Sequence, residues 1–343
     1  VIDVLVAGAG PAGLATALRA ARVGLRVVVV ERREMPLDKA CGEGLMPGAV
    51  AALADLGVDP PGTALRGIAY HSGTRRALAD FPAEPGRGVR RLTLHACLRS
   101  AAQDAGVRIV RGRVADVRQD SDGVEAAGMR ARYLVAADGL HSTIRGAVVG
   151  PAPRRRRAPA GVRRWGVRAH YALSPWSEYV EVHWAPHSEA YVTPIAEDQV
   201  GIAILSGRQA PFAEQLRAFP ALLERIGRRQ PGPVLGAGPL RQRVAHRVRG
   251  RVLLVGDAAG YVDALTGEGI AIALATSAAL VRAVASGDAE SYERDYRRIS
   301  RPSRWLTEAL LAASGQRLLR AAIVPAAERA PWLFRAAVGA LAR

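Results

Sequence analysis

Four stretches of the chain are apolar without alternation: Val4–Ala7, Val27–Val30, Tyr133–Ala137 and Val252–Val255. Short runs of this kind bury both faces of a strand, as the interior of a parallel sheet requires. A different rhythm occupies Gly166 to Ile204. There polar and apolar residues alternate, with Trp165, Tyr171, Tyr179, Trp184 and Tyr191 among them. A period of two predicts antiparallel strands with one covered face and one face lining something. Tyr191–Pro194 and Gly201–Ile204 read as the two arms of a hairpin. Gly67–Ser72 and Arg76–Phe81 read as a second strand pair, Val107–Val110 and Arg113–Arg118 as further strands, and Asp122-Gly123 as a hairpin turn. Helical patterns cover Gly13–Arg22, Pro47–Leu56, the stretch from Arg91 to Ala105, Phe212–Arg229 and an Ala-rich segment ending near Ala285. Tyr292–Ile299, Trp305–Ser314 and Ala330–Ala342 follow as C-terminal helices. Arg154–Arg157, set between prolines, reads as an exposed crossover.

The chemistry sits where apolar runs end. After Val4–Ala7 comes Gly8-Ala9-Gly10-Pro11-Ala12-Gly13, a G-x-G-x-x-G turn. The first glycine permits the turn, the second lets a pyrophosphate approach the backbone, and the third lets the helix pack on the strand. The helix that follows points its N–H groups and positive dipole end at that phosphate. Glu31 ends the next strand, where a carboxylate can accept both hydroxyl protons of an adenosine ribose. The run Tyr133–Ala137 ends in Asp138-Gly139, with Asp138 and Ser142 as candidate caps for a following helix. Val252–Val255 ends in Gly256-Asp257. The loop Cys41-Gly42-Glu43-Gly44 offers small residues where a flat ring can lie against backbone, with Cys41 as a space-filler rather than a redox thiol.

Composition narrows the class. The chain has 343 residues, 49% of them hydrophobic, enough for a large core and two domains. Two cysteines make no disulfide framework and suit a reducing cytoplasm. No signal peptide or transmembrane span is expected, because the first strand begins at once and the long apolar runs are interrupted. The formal charge of +17 is carried by arginine, with Lys39 the only lysine. It reads as a basic solvated surface. No helix-turn-helix, zinc or RNP-like pattern accompanies it, so nucleic acid is not an expected partner.

Together, Gly8–Gly13 with Glu31, Asp138-Gly139 and Gly256-Asp257 resemble the para-hydroxybenzoate-hydroxylase-type FAD-dependent oxidoreductases. That group includes the group A flavoprotein monooxygenases, the geranylgeranyl reductases and the flavin halogenases. The resemblance implies an α/β architecture. A Rossmann-type FAD-binding domain spans residues 1–61, 89–162 and 244–288. An inserted antiparallel-sheet substrate domain spans 62–88 and 163–243, and a helical region spans 289–343. It implies FAD as the resident cofactor and NADPH or NADH as a transient reductant. Gly8, Gly10, Ala12 and Gly13 are expected on the pyrophosphate, with Glu31, Arg32, Arg91 and Val114 near the adenosine and phosphates. Cys41, Gly42, Glu43 and Gly44 are expected near the flavin, Asp257 on the ribityl chain, and Gly267, Glu268, Gly269 and Ile270 along the isoalloxazine edge. Asp138 and Gly139 would support both nucleotides.

Thr266–Ile270 and Cys41–Gly44 look most like the geranylgeranyl-reductase-like subgroup, which also holds proteins resembling hydroxylases of phenolic natural products. A halogenase is not expected, since the lysine and the Trp-x-Trp-x-Ile-Pro segment of that branch are absent. The expected reaction is O2-dependent hydroxylation of an aromatic, phenolic or polyketide-type, small molecule through a flavin C4a-hydroperoxide. The alternative is reduction of a prenyl double bond. Tyr191 and His183 are the candidates to contact or activate the substrate. The protein is expected to be a cytoplasmic monomer or dimer with at most peripheral membrane contact.

Overall fold

A computed structural model describes residues 2–150 and 163–342. The crossover at Arg154–Arg157 lies outside the described residues. The apolar runs lie side by side in an eight-stranded sheet. Its main path is Val248–Arg249, Val252–Leu254, Met129–Ala136, Ile2–Ala7, Val27–Glu31 and Arg108–Arg111. The four central pairings are parallel, as runs buried on both faces require. Because the strands are parallel, the tips bearing Gly8, Glu31, Asp138 and Gly256 all emerge at one edge. Helices Pro11–Arg22, Arg91–Asp104 and Gly269–Ala285 pack around this sheet, and one apolar core joins them to it.

The alternating region builds a seven-stranded sheet. Its order is Leu235–Ala237, Trp165–Ala172, Gln199–Ser206, Ser188–Ala196, Tyr179–Trp184, Gly67–Ser72 and Arg75–Asp80. The Tyr191–Pro194 arm pairs with Val200–Ala203 as the hairpin reading requires. The sheet is not wholly antiparallel, because Gly67–Ser72 runs parallel to Tyr179–Trp184. No hairpin joins these two strands, so no turn dictates their relative direction. One face carries Val192, Ile202 and Ile204 against Phe212, Leu216 and Leu222. The other carries Ile68, Val180 and Val182 toward Phe334, Val338 and Leu341 of the C-terminal helices.

Several expected elements differ, each for a local reason. Arg113–Val117 is not a strand, and a two-residue strand begins only at Arg118: Asp116 takes a positive φ of 49°, which breaks extension, and Val114 lies buried in a loop. The helix expected over Phe212–Arg229 is split into Phe212–Leu216 and Pro220–Ile226. Pro220 disfavours helical geometry at Phe219 and opens the second helix at its first position. The helices expected on either side of Pro302 are one, Ser291–Ser314. Tyr292, Tyr296 and Thr307 are buried along it, so tertiary packing outweighs the missing hydrogen bond. Arg317–Arg329 adds a helix where none was expected.

A three-stranded sheet of Gly44–Leu45, Gly86–Gly88 and Thr63–Leu65 lies beside the hairpin arm that holds Pro194. A Cβ on Gly88 would lie 1.6 Å from the Pro194 carbonyl oxygen. Backbone cannot yield as a flexible side chain does, so Gly88→Ala is expected to destabilise the protein by about 3 kcal/mol. Urea unfolding should show a lowered midpoint, and a midpoint equal to wild type would contradict this close approach.

Candidate functional site

A cavity of about 760 Å³ opens at the strand tips and runs between the two sheets. Its first wall is the glycine turn. Gly8 has φ of 106°, and its carbonyl oxygen lies 2.0 Å from where a Gly13 Cβ would stand. Gly13 is therefore a packing residue and does not line the cavity, whereas Gly8, Gly10 and Ala12 do. Glu31 is buried at the tip of its strand and clamps the turn: its Oε2 accepts from Ala9 N (2.8 Å), its Oε1 from Arg33 N (3.0 Å). Arg32, Arg91 and Val114 line the same end. Arg91 is 7% exposed, and its Nη1 has no partner among the described residues. Burial pushes its pKa down.

The second wall joins Asp138-Gly139 to Gly256-Asp257. Asp138 Oδ2 caps Thr143 N at 2.9 Å and Ile144 N at 3.3 Å, and Ser142 Oγ accepts from Arg145 N. Both expected caps form. Asp138 Oδ1 is buried without a partner among the described residues. Arg145 Nη1 donates to Ala258 O at 3.2 Å, tying the two loops together. Lys39 Nζ reaches Asp257 Oδ2 at 3.0 Å. Gly267, Gly269 and Ile270 line the cavity where the helix Gly269–Ala285 begins. Glu268 does not: it turns away and accepts from Ser303 Oγ at 2.7 Å.

The loop Cys41–Gly44 forms the floor. Burial, then the Glu43 charge, raises the Cys41 thiol pKa, which keeps it a neutral space-filler. Glu43 is buried, with φ of 60°. Its Oε1 accepts from Arg91 N at 2.8 Å and its Oε2 bonds His170 Nε2 at 2.6 Å. Arg168 Nη2 donates to Asp38 Oδ1 at 2.6 Å beside it. The sequence signal for this cluster is slight: Arg168 and His170 fall two apart on one strand, so they share a face.

The two substrate candidates fare differently. Tyr191 lines the cavity, but its hydroxyl donates to Leu265 O at 3.0 Å, and burial holds its pKa well above the usual phenol value. It anchors the loop before Gly267. His183 lies on the opposite face of the sheet, bonded to Glu181 at 3.0 Å and stacked on His71 at 4.6 Å. Strand alternation puts Val182 toward the cavity and so turns His183 away. Tyr261 was not singled out by the sequence. It lines the cavity against Gly269, and burial likewise raises its hydroxyl pKa, leaving a neutral hydrogen-bonding phenol.

Parallel strand tips around a glycine-floored cavity, closed by a second sheet, define an FAD-dependent oxidoreductase fold. The chain belongs to the family described as FAD binding domain, whose profile matches residues 1–230. It is 32% identical over 321 residues to the menaquinone reductase of Mycolicibacterium smegmatis, covering 84% of this chain and 78% of that one. It is 30% identical over 356 residues to the protoasukamycin 4-monooxygenase of Streptomyces nodosus subsp. asukaensis, covering 88% and 84%. A flavoprotein/dehydrogenase from Cytophaga hutchinsonii superposes with a TM-score of 0.82 at 18% identity, over 99% of this chain and 92% of that one.

Behind Tyr191, Arg164 bridges Glu189 and Asp263, its Nε 3.0 Å from Asp263 Oδ2, and Arg320 holds Glu189 at 2.8 Å. Burial pushes the Asp263 pKa up to about 6 despite Arg164. The folded state therefore holds this proton more tightly than the unfolded chain. The resulting stability is fully present below the unfolded pKa near 3.8 and is lost as pH rises through about 6. Relative to Asp263→Asn, wild type should lose about 2–3 kcal/mol of unfolding free energy between pH 4 and pH 7. Parallel urea titrations of the two proteins at each pH measure this, and equal pH profiles would contradict it.

Proposed function

We propose that the protein is an FAD-dependent, NAD(P)H-driven monooxygenase that hydroxylates an aromatic small molecule carrying an apolar chain. The observation that carries this reading is the shape of the cavity. From the glycine-lined start of the helix Gly269–Ala285 it continues past Leu265 and Met46, between Ile68, Val180 and Val182, to Leu341. A polar end beside the ring and an apolar branch behind it suit an amphipathic substrate. The C-terminal helices that close this branch expose Trp305, Leu318 and Trp332, which suits a substrate drawn from an apolar phase. Among the described residues no helix is long and apolar enough to cross a membrane.

The residues fit FAD. At Gly10 and Gly42 an added Cβ would meet nothing within 4 Å, so both leave open space at the cavity wall. The unpartnered Arg91 Nη1 and Asp138 Oδ1 are polar atoms that a bound nucleotide or its water can satisfy. In this reading Gly8, Gly10 and Ala12 hold the pyrophosphate, with Glu31, Arg32 and the backbone near Val114 on the adenosine. Asp257 exchanges its Lys39 partner for a ribityl hydroxyl. Gly42–Gly44 and Gly267–Ile270 flank the ring. Bound FAD supplies two-electron chemistry and reaction with O2. The chain contributes the positive end of the helix Gly269–Ala285, which favours negative charge on the ring. It also contributes an apolar wall that excludes water, and a Tyr261 hydroxyl that can orient a substrate phenol. NADPH or NADH would dock transiently beside Asp138-Gly139.

A second reading is reduction of a double bond in a prenyl chain. The identity to the menaquinone reductase and the same apolar branch favour it. Hydroxylation is preferred because Tyr261, against Gly269 at the start of the helix, offers a partner for a phenol.

The test supplies the FAD-loaded protein with NADPH or NADH, ¹⁸O2 and phenols bearing alkyl chains of increasing length. One ¹⁸O atom should enter the product, with kcat/KM rising with chain length. Reduction of a prenylated quinone without oxygen uptake, and no oxygenated phenol, would overturn the proposal in favour of the second reading. Tyr261→Phe should keep its FAD while kcat/KM falls about tenfold, the equivalent of one hydrogen bond of roughly 1.4 kcal/mol. Separately, Asp257→Ala should weaken FAD retention on dilution by roughly 0.5–1.5 kcal/mol, measured by flavin fluorescence; unchanged retention would remove Asp257 from the ribityl contact.

A further inference from the structure

The sheet face turned away from the cavity holds a cluster that the flavin chemistry does not use. His71 and His183 occupy paired positions on the parallel strands Gly67–Ser72 and Tyr179–Trp184. Their rings stack at 4.6 Å with planes 10° apart. Glu181 stands two residues before His183 and therefore on the same face. His183 Nε2 lies 3.0 Å from Glu181 Oε2, and His71 Nε2 lies 3.7 Å from Glu181 Oε1. The ligand atoms of the three side chains all fall within 4.8 Å of one another.

We propose that His71, Glu181 and His183 bind one Zn²⁺ ion and staple the two parallel strands that form the cavity wall on their other face. Three observations support this. First, both imidazoles present the same atom, Nε2, to one carboxylate. His183 Nε2 lies 3.0 Å from one carboxylate oxygen and His71 Nε2 3.7 Å from the other, close to the ligand spacing of a zinc site, and a turn of one stacked ring brings both lone pairs onto one ion. Second, His71 Nε2 is buried and has no hydrogen-bond partner among the described residues, so a polar atom is left aimed into the cluster. Third, a second layer is already built. Trp176 Nε1 donates to Glu181 Oε2 at 3.0 Å, and the Arg225 guanidinium lies 5.1 Å over the Trp176 ring. Outer partners that fix a ligand's orientation are a regular feature of metal sites.

The donor set of two imidazoles and one carboxylate selects a borderline cation over Mg²⁺ or Ca²⁺, which prefer oxygen. The side chains keep 20% and 14% exposure at His71 and His183, which leaves an entry path and room for a water as the fourth ligand. Arg76 and Arg225 lie close enough to oppose a cation, and the Glu181 carboxylate offsets part of that charge. The consequence reaches the cavity, because Tyr70 and Val182 neighbour His71 and His183 in sequence and face the opposite way into it. An ion would fix the spacing of these wall residues without touching the flavin.

The test uses FAD-loaded protein dialysed against EDTA and then against metal-free buffer. Calorimetric titration with ZnCl2 should give saturable binding of one ion per chain and a rise in Tm, and MgCl2 should give neither. His71→Ala and His183→Ala should each weaken Zn²⁺ binding at least tenfold while retaining one FAD per chain. His246→Ala, at an exposed histidine elsewhere, should bind as wild type does. CoCl2 added to wild type should produce the visible bands of low-coordinate Co²⁺, a readout that needs no variant if a substitution fails to fold. The absence of saturable Zn²⁺ binding would overturn the proposal, and binding left unchanged in both His variants would overturn it and mean an adventitious ion only. Loss of binding together with unchanged oxygenation would leave the flavin reading intact, so the two proposals fail separately.

Discussion

The Glu43 carboxylate is the joint on which the cavity depends. It is buried, and its two oxygens are divided between two parts of the molecule. Oε1 takes the backbone N–H that opens the helix Arg91–Asp104, and Oε2 takes His170 on a strand of the second sheet. Its backbone oxygen accepts from Val89 N at 2.8 Å. A buried carboxylate stripped of a partner costs about 3–5 kcal/mol, so each contact constrains the others. The strand residue opposite His170 is Gly201, where a Cβ would lie 3.0 Å from Glu43 Oε2. A larger residue there would crowd the carboxylate. The loop Cys41–Gly44 is thus held against both sheets, and the cavity is the space left between them.

Strand parity distributes the chemistry of the second sheet. Tyr191 lies opposite Val182 and Ala203, and all three face the cavity. Glu181 lies opposite Val192, which packs against Ile202 and the short helices on the other side. A shift of one residue would exchange the two faces completely. The cavity side therefore receives Tyr191, Thr193 and Arg168, and the far side receives His71, Glu181 and His183. One sheet carries two polar groupings that never meet.

This parity also explains what could be read from the amino-acid sequence. The alternation from Gly166 to Ile204 revealed strands, but not which alternate set faced the cavity, so His183 and Tyr191 looked equivalent. The glycine turn, Asp138-Gly139 and Gly256-Asp257 were legible because each is a local consequence of backbone: a positive φ, a cap, a strand tip. Glu268 shared their neighbourhood in sequence, yet its side chain found Ser303. Contacts across long separations left no such mark. Glu43 and His170 are 127 residues apart, and Lys39 and Asp257 are 218 apart. Pro220 and Pro302 show the same limit. The first ended a helix and the second did not, and only the packing of Tyr292, Tyr296 and Thr307 distinguishes them.

Under the proposed hydroxylation, substrate selection would follow from how the apolar branch is assembled. Its wall combines Met46, the sheet residues Ile68, Tyr70, Val180 and Val182, Leu265 from the loop before the helix Gly269–Ala285, and Leu341 from the last helix. The Tyr70 ring packs on Phe334 at 4.6 Å and on Trp184 at 5.5 Å, so the sheet and the C-terminal helices close this end together. A small phenol would fill only the region near Tyr261 and Gly269 and leave the branch wet. A chain that fills the branch displaces that water, gaining about 25 cal/mol for each square ångström of apolar surface buried. That gain is remote from the reacting carbon. It can still serve reaction by holding the aromatic head in one register beside the ring. In the proposed reaction, length and apolarity of the substrate chain, more than any single polar contact, would decide which molecules this cavity accepts.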